Sequence, residues 1–227
     1  MEIVLGIIFL VVGYFFGCFS TGYIVGKMNG HDIRNEGSGN IGTTNALRTM
    51  GAKGGALTFG GDLLKAFIPT LLVRFLICPA MGYTATLTYL FTLLTGLGVV
   101  AGHNFPFYLH FKGGKGIAVS AAVIMVSSSN STMGWIMIAC GWALFLMVVA
   151  CSRYVSLGSL LVVWYFPLYT ILYHVKVMAF ESNLQFILAL VISLIFTALA
   201  YIKHAGNIKR LLNGTERKLG EKKKEEV

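Results

Sequence analysis

Charged residues are scarce in this chain: Asp, Glu, Lys and Arg make up 12% of 227 residues, and only nine of them are acidic. Against 56% hydrophobic residues and a mean hydropathy of +0.75, that scarcity excludes an ordinary soluble domain. Other absences narrow the class further. The four cysteines (Cys18, Cys78, Cys140, Cys151) form no C-x-x-C pair and fall in or at the ends of apolar segments, so they read as small buried hydrophobes. No internal repeat is visible, and no nucleic-acid-binding module accompanies the formal charge of +9. The first apolar run has no Lys or Arg before it and no A-x-A-like site after it, so an uncleaved helix is expected rather than a signal peptide. No metal-ligating cluster is legible, and neither a metal nor a cofactor is expected.

What is present is a series of stretches long enough to cross about 30 Å of hydrocarbon. The pattern predicts an all-α membrane protein with helices at about 3–27, 53–78, 82–102, 116–130, 132–151, 157–175 and 183–203. The fourth is weak, because "GIAVSAAVIMV" gives way to "SSSNST", so five or six full spans remain alternatives. The basic residues choose the orientation. Lys27, Arg34, Arg48, Lys53, Lys112, Lys115, Arg153 and the tail from Lys203 onward share one face, leaving Arg74 and Lys176 opposite. The positive-inside bias then places the N-terminus outside and the polar loops and C-terminus in the cytoplasm. The whole chain reads as one membrane-embedded domain with a charged tail at about 213–227, whose attraction is to anionic lipid.

Polar side chains cluster on that cytoplasmic face. In "EGSGNIGTTNALRTMG", Gly37, Gly39 and Gly42 allow backbone N–H groups to converge on an anion, while Ser38, Asn40, Thr43, Thr44 and Asn45 add side-chain donors. Arg48 adds a fork suited to phosphate oxygens, and a helix starting near Thr43 would add its dipole. In "GHNFPFYLHFKGGKG", Lys112 and Lys115 flank Gly113 and Gly114, with Gly116 following. This is not a Walker A loop, since Gly116 and Ile117 stand where Ser or Thr is required. Its aromatic residues suit the headgroup belt, and His103 is a candidate polar contact. "CSRYVSLGSL" offers Ser156. In "YIKHAGNIKRLLNGTERK", His204 and Asn207 share a helix face, while Lys209 and Arg210 are expected to meet lipid phosphates. Within the second helix Asp62 and Lys65 form an i,i+3 pair, costly at that depth and expected to face the bundle interior.

These four segments, in this order, resemble the bacterial acyl-phosphate-dependent glycerol-3-phosphate acyltransferases, and the resemblance runs over essentially the whole chain. It implies a seven-helix bundle in the bacterial plasma membrane with a site open to the cytoplasm. The implied reaction moves a fatty acyl group from acyl phosphate to glycerol 3-phosphate, giving lysophosphatidic acid and phosphate, the first acylation of phospholipid synthesis. The implied partners are those two anions and membrane lipid, without nucleic acid. By the same resemblance Ser38, Thr44, Asn45 and Arg48 face acyl phosphate. Lys112, Lys115 and the adjoining glycines face glycerol 3-phosphate, and the two sides are interchangeable because both ligands end in phosphate. Ser156, His204 and Asn207 complete the polar wall, with Ser38, Asn45, Arg48, Lys112, His204 and Asn207 as the catalytic set. The proton acceptor is His103, His204 or, in the substrate-assisted route suggested for the family, an oxygen of the donor's own phosphate. Two rival chemistries lack their signatures: there is no G-x-S-x-G elbow and no H-x-x-x-x-D motif, His31…Glu36 being a near miss. A transporter would be expected to show internal repeats and polar residues at mid-membrane rather than at one face.

Overall fold

The computed structural model describes residues 1–177 and 179–221. Among these there is no strand. The elements are α1 Glu2–Cys18, α2 Thr21–Met28, α3 Thr43–Leu71, α4 Cys78–Ala80, α5 Ala85–Asn104, α6 Ile117–Ser128, α7 Thr132–Ser152, α8 Val155–Val162, α9 Tyr165–Leu172, α10 Asn183–Lys203 and α11 Ala205–Leu212. Short π turns, Leu72–Ile77 and Tyr173–Val177, extend α3 and α9.

Among the described residues six segments are long and apolar enough to cross a membrane: Glu2–Met28, Thr43–Ala80, Ala85–Leu109, Thr132–Ser152, Val155–Val177 and Asn183–Lys203. The seventh expected helix is α6. Its 12 residues reach only about 18 Å at 1.5 Å per residue, short of the ~30 Å hydrocarbon layer. The apolar run stops at the serine cluster, and the helix stops with it.

The first crossing is not the continuous helix expected over 3–27. It breaks at Phe19 and Ser20, both in non-helical conformations. A break inside a membrane must return its freed carbonyls to partners. Here Tyr108 Oη donates to the Cys18 carbonyl at 2.9 Å and Lys65 Nζ to the Phe19 carbonyl at 2.9 Å. α3 is also two pieces. Gly51, at φ 71° and ψ −169°, separates a short helix at 43–50 from the spanning part, which accounts for the expected start at 53.

α1 lies against α5 at backbone contact because each carries a G-x-x-x-G pair, Gly13/Gly17 and Gly98/Gly102. A Cβ at Gly17 would stand 2.1 Å from the Val99 carbonyl oxygen, and one at Gly102 would stand 2.0 Å from that of Tyr14. The main core gathers α5, α6, α9 and α10, with Phe166 stacked on Phe196 at 4.3 Å and Tyr89 on Tyr173 at 4.8 Å. Cys18 and Cys78 are buried as expected. Cys140 and Cys151 are exposed, because α7 turns most of its surface outward.

The turns fall into two groups. Residues 29–42, 105–116, 153–154 and 213–221 lie at one end of the bundle around a cavity. The turns 81–84 and 179–182 lie at the other, where Leu5 near the N-terminus, Ile77, Tyr83 and Leu87 pack on the cluster of Phe9, Val73, Cys78 and Phe91. The expected charged tail divides. Residues 222–227 lie outside the described residues, whereas 213–221 fold back onto the bundle. Leu219 N–H donates to the Arg153 carbonyl and Arg153 Nη2 donates to the Leu219 carbonyl, both at 2.8 Å.

Candidate active site

A cavity of about 830 Å³ opens between these loops and continues down among α6, α7, α8 and α9. Its head is polar and its body apolar. Arg48, Lys115, Lys203, Arg210 and Arg217 reach the head, against the carboxylates of Asp62 and Glu216. The body is walled by residues such as Ile124, Met137, Trp142, Phe145, Val163 and Phe166.

The first loop is built around Asn45, which is 2% exposed. Its Oδ1 accepts from Ser38 N–H at 2.8 Å, and its Nδ2 donates to the carbonyls of Ile33 at 3.1 Å and Glu36 at 3.0 Å. Asn45 therefore lines the cavity with its bonding capacity already used, as a clamp rather than a free donor. The expectation that the loop's N–H groups converge on an anion is corrected in the same way. Ser38 N–H goes to Asn45, Gly39 N–H to the Glu36 carbonyl, and Gly42 N–H to Asn40 Oδ1 at 2.9 Å. Gly37 (φ 61°) packs on Asn45, where a Cβ would stand 2.2 Å from Oδ1. Gly39 turns the loop without lining the cavity.

What the loop leaves free is the start of α3. Gly42 is its N-cap, and Thr43, Thr44 and Arg48 face the cavity together with Ser38. Thr43 Oγ1 and Arg48 Nε are buried with no partner among the described residues. Buried orphan donors at the mouth of a cavity are the signature of a site awaiting an acceptor. His31 and Glu36 pair at 3.0 Å away from the cavity, so the near-miss motif is a loop brace.

The second loop divides its two lysines. Lys112 is exposed and off the cavity, which corrects its expected convergence with Lys115. Gly113 and Gly114 are also off the cavity: their N–H groups donate to the carbonyls of Asn104 and His103, pinning the loop to α5. Close approach explains both glycines, since a Cβ at Gly114 would stand 2.0 Å from His103 Nε2. Gly116, at φ 79°, turns the chain into α6 and leaves Lys115 pointing inward.

Lys115 belongs to a network that ties α8, α11 and the tail. Lys115 Nζ donates to Asn207 Oδ1 at 2.6 Å, and Asn207 Nδ2 donates to Glu216 Oε1 at 2.6 Å. Ser156 Oγ donates to Glu216 Oε1 at 2.8 Å, and Arg210 Nε to Glu216 Oε2 at 2.7 Å. Burial pushes the Glu216 carboxyl up, but those three donors outweigh it and hold its pKa below the usual carboxylate range. Burial drives the Lys115 ammonium down to about 8, with the neighbouring cations adding to the effect and Glu216 opposing it. Arg210 thus contacts the site rather than lipid phosphate, and Glu216 and Lys203 join it without having been singled out from the sequence.

Two histidines line the cavity with opposite tautomers. Lys65 Nζ pairs with Asp62 Oδ1 at 2.8 Å and stands 2.8 Å from His103 Nδ1 and 2.9 Å from the Phe19 carbonyl, and an ammonium can only donate. Nδ1 of His103 therefore accepts, its ring proton sits on Nε2, and His103 offers a donor, not a base. His204 Nδ1 lies 2.8 Å from the Ala200 carbonyl, which can only accept, so the His204 proton is on Nδ1 and its Nε2 lone pair is free. Burial, then the Lys115 charge, lowers its pKa to about 4.

The family model described as glycerol-3-phosphate acyltransferase matches residues 7–214. The chain belongs to that family. A glycerol-3-phosphate acyltransferase of Clostridioides difficile (strain 630) is 42% identical over 98% of the chain and 100% of that protein. One from Thermoanaerobacter sp. (strain X514) is 40% identical over 93% of the chain and 94% of its own length. Crystal structures of PlsY (YgiH), an integral membrane glycerol 3-phosphate acyltransferase, align over 95% of this chain. The glycerol 3-phosphate form gives 96% coverage of PlsY, a TM-score of 0.76 and 31% identity. The lysophosphatidic acid form gives 95%, 0.74 and 30%. An all-helical membrane acyltransferase of this family is therefore what the cavity has to serve.

Proposed function

We propose that the protein transfers a fatty acyl group from acyl phosphate to glycerol 3-phosphate, releasing lysophosphatidic acid and phosphate, at a site facing the cytoplasm of a bacterial plasma membrane. One observation carries the reading: a single cavity joins a head with five basic side chains to an apolar body of acyl-chain calibre. A donor that is itself an anion on a hydrocarbon chain fits that division, and a second anion fits beside it. In this reading Arg48, Thr43, Thr44 and Ser38 hold the phosphate of the acyl donor at the start of α3. Lys115, with Asn207, Ser156, Lys203 and His204 around it, holds glycerol 3-phosphate.

The acceptor hydroxyl oxygen attacks the acyl carbonyl carbon, the bond from that carbon to the phosphate oxygen breaks, and the hydroxyl proton must go elsewhere. His103 is the donor tautomer, leaving His204 and the leaving phosphate as acceptors. Burial and the Lys115 charge weaken His204 as a base, whereas the donor's phosphate oxygen gains basicity as its bond to the acyl carbon breaks. In this reading the route is substrate-assisted, with His204 orienting the hydroxyl. His204→Gln is expected to retain single-turnover chemistry at a reduced rate; abolished chemistry with intact substrate binding would assign the base to His204 instead.

The donor is tested by mixing purified protein with labelled glycerol 3-phosphate and either palmitoyl phosphate or palmitoyl-CoA. Lysophosphatidate from the phosphate alone is expected, and product from the thioester alone would overturn the donor.

The Lys115 ammonium gives the reaction an alkaline limit. Its pKa in the free protein is lowered, so it is cationic below about pH 8 and neutral above. The kcat/KM for glycerol 3-phosphate is expected to fall by about tenfold per pH unit above that point. Lys115→Arg, whose guanidinium keeps its charge, is expected to remove this limb.

A further inference from the structure

Resting on the acyl-transfer reading, we propose that the apolar body of the cavity is a chain-length gauge. It is a groove closed at its far end by Met137, Ser128 and Tyr169, with its bore set by Gly141, and it admits acyl chains up to about palmitoyl length.

Three walls give the same depth. Along α6, Gly116 at the head and Ser128 at the floor are twelve residues apart. Along α7, Val149 and Met137 are also twelve apart. Along α8 and α9, Ser156 and Tyr169 are thirteen apart. At 1.5 Å per residue each wall measures roughly 18–20 Å, about the length of an extended palmitoyl chain.

The floor is closed and it is polar. Met137, Ser128 and Tyr169 are buried, whereas Leu146, one turn below Val149 on the α7 wall, is 59% exposed. The Tyr169 hydroxyl donates toward the Ser128 carbonyl at 3.3 Å and Asn130 Oδ1 at 3.4 Å. Tyr169 packs on Tyr89 and Tyr173 in the same core, where buried Arg74 and the Tyr173 hydroxyl have polar atoms without partners among the described residues. A terminal methyl pushed beyond Tyr169 would break its hydrogen bonds and enter a polar cluster that hydrocarbon cannot satisfy. The length limit is thus energetic as well as steric.

Gly141 sits on the α7 wall between Val149 and Met137, and it lines the groove. The nearest atoms that a Cβ there would meet belong to the Tyr165 ring, at 3.4–3.8 Å, an ordinary contact. A large side chain at this position would cross the groove toward α9 and shorten it from below. Each buried methylene is worth about fourfold in binding, so shortening the groove weakens long chains far more than short ones.

The test uses the purified full chain in detergent with labelled glycerol 3-phosphate and lauroyl, palmitoyl or arachidoyl phosphate. The preference read is the ratio of kcat/KM between donors, taken relative to wild type so that donor partitioning into detergent cancels. Gly141→Phe is expected to move the lauroyl-to-palmitoyl ratio by at least about tenfold toward lauroyl. Met137→Ala, which deepens the floor, is expected to raise arachidoyl against palmitoyl by about threefold or more. Ratios that stay within about twofold of wild type in both variants would overturn the gauge while leaving the acyl transfer intact. If Gly141→Phe is inactive with every donor, the Met137→Ala ratio decides alone. No product from wild-type protein with any acyl phosphate would overturn the donor assignment, and the gauge with it.

Discussion

Replacing Glu216 with Ala is expected to lower kcat/KM for glycerol 3-phosphate by about a hundredfold or more. Its carboxylate accepts from Ser156 on α8 and from Asn207 and Arg210 on α11, three groups on two separate stretches of chain. Truncation leaves those donors unpaired in a partly desolvated pocket, at about 1–3 kcal/mol for each group that water cannot reach. A hundredfold is about 2.7 kcal/mol, the lower end of that sum. A second effect has a definite sign. Glu216 raises the pKa of Lys115 against the burial that lowers it. Removing the carboxylate therefore lowers the Lys115 pKa further and moves the alkaline limb to lower pH. Glu216→Gln keeps the shape but loses the charge, so it should shift the limb in the same direction with a smaller loss of rate. The pH dependence of kcat/KM for the three proteins reads both effects. A Glu216→Ala protein with an unmoved alkaline limb would mean that Glu216 does not face Lys115 in the working enzyme.

Glu216 also marks the boundary of what the sequence makes legible. Ser38, Thr43, Thr44, Arg48, Lys115, Ser156, His204 and Asn207 stand out as polar residues interrupting apolar runs, and the structure lines one cavity with them. Their chemistry is local: glycine-bounded loops and helix starts where a hydrocarbon-spanning chain reaches water. Glu216 stands in a charge-rich tail that composition alone sends to the membrane surface. Its role depends on the Arg153–Leu219 pairing that brings the tail back, a long-range contact with no local signature. Lys203 and Arg210 share that obscurity, each being one basic residue among several at a helix end. The opposite error arises where local density overstates function. Lys112 has the same glycine neighbours as Lys115, yet the turn at Gly116 directs only Lys115 inward. Asn45 looks like a free donor until the loop closes on it. The bundle itself follows from hydropathy except at α6, where the serine cluster ends the apolar run too early for a full crossing, and at Phe19, where a break depends on partners 46 and 90 residues away.

Arg48→Lys is expected to cut kcat/KM for the acyl donor by about a hundredfold or more, although charge is conserved. Arg48 lies one turn after Thr44 on the same face of a helix whose first turn opens into the cavity, and its Nε is buried without a partner among the described residues. A guanidinium presents two parallel N–H groups to a phosphate edge, whereas an ammonium presents a single point of charge on a differently shaped stem. Losing one charge-assisted bond costs about 1.5–3 kcal/mol, and misplacing the reacting carbonyl adds to it. Because Arg48 makes no hydrogen bond to any described residue, the variant should keep the thermal stability of wild type to within about 2 °C. The loss is expected in the donor's KM or in kcat, with the KM for glycerol 3-phosphate little changed, since that phosphate is assigned to Lys115. The alternative for a basic residue on this face of a membrane protein is an anchor to lipid headgroups, a task that Lys performs as well as Arg. An Arg48→Lys protein within about threefold of wild type would favour that anchor and move the donor phosphate elsewhere in the cavity head. A stable protein with a donor-specific defect would fix the acyl phosphate at the start of α3, and the acyl groove would then run from there toward Tyr169.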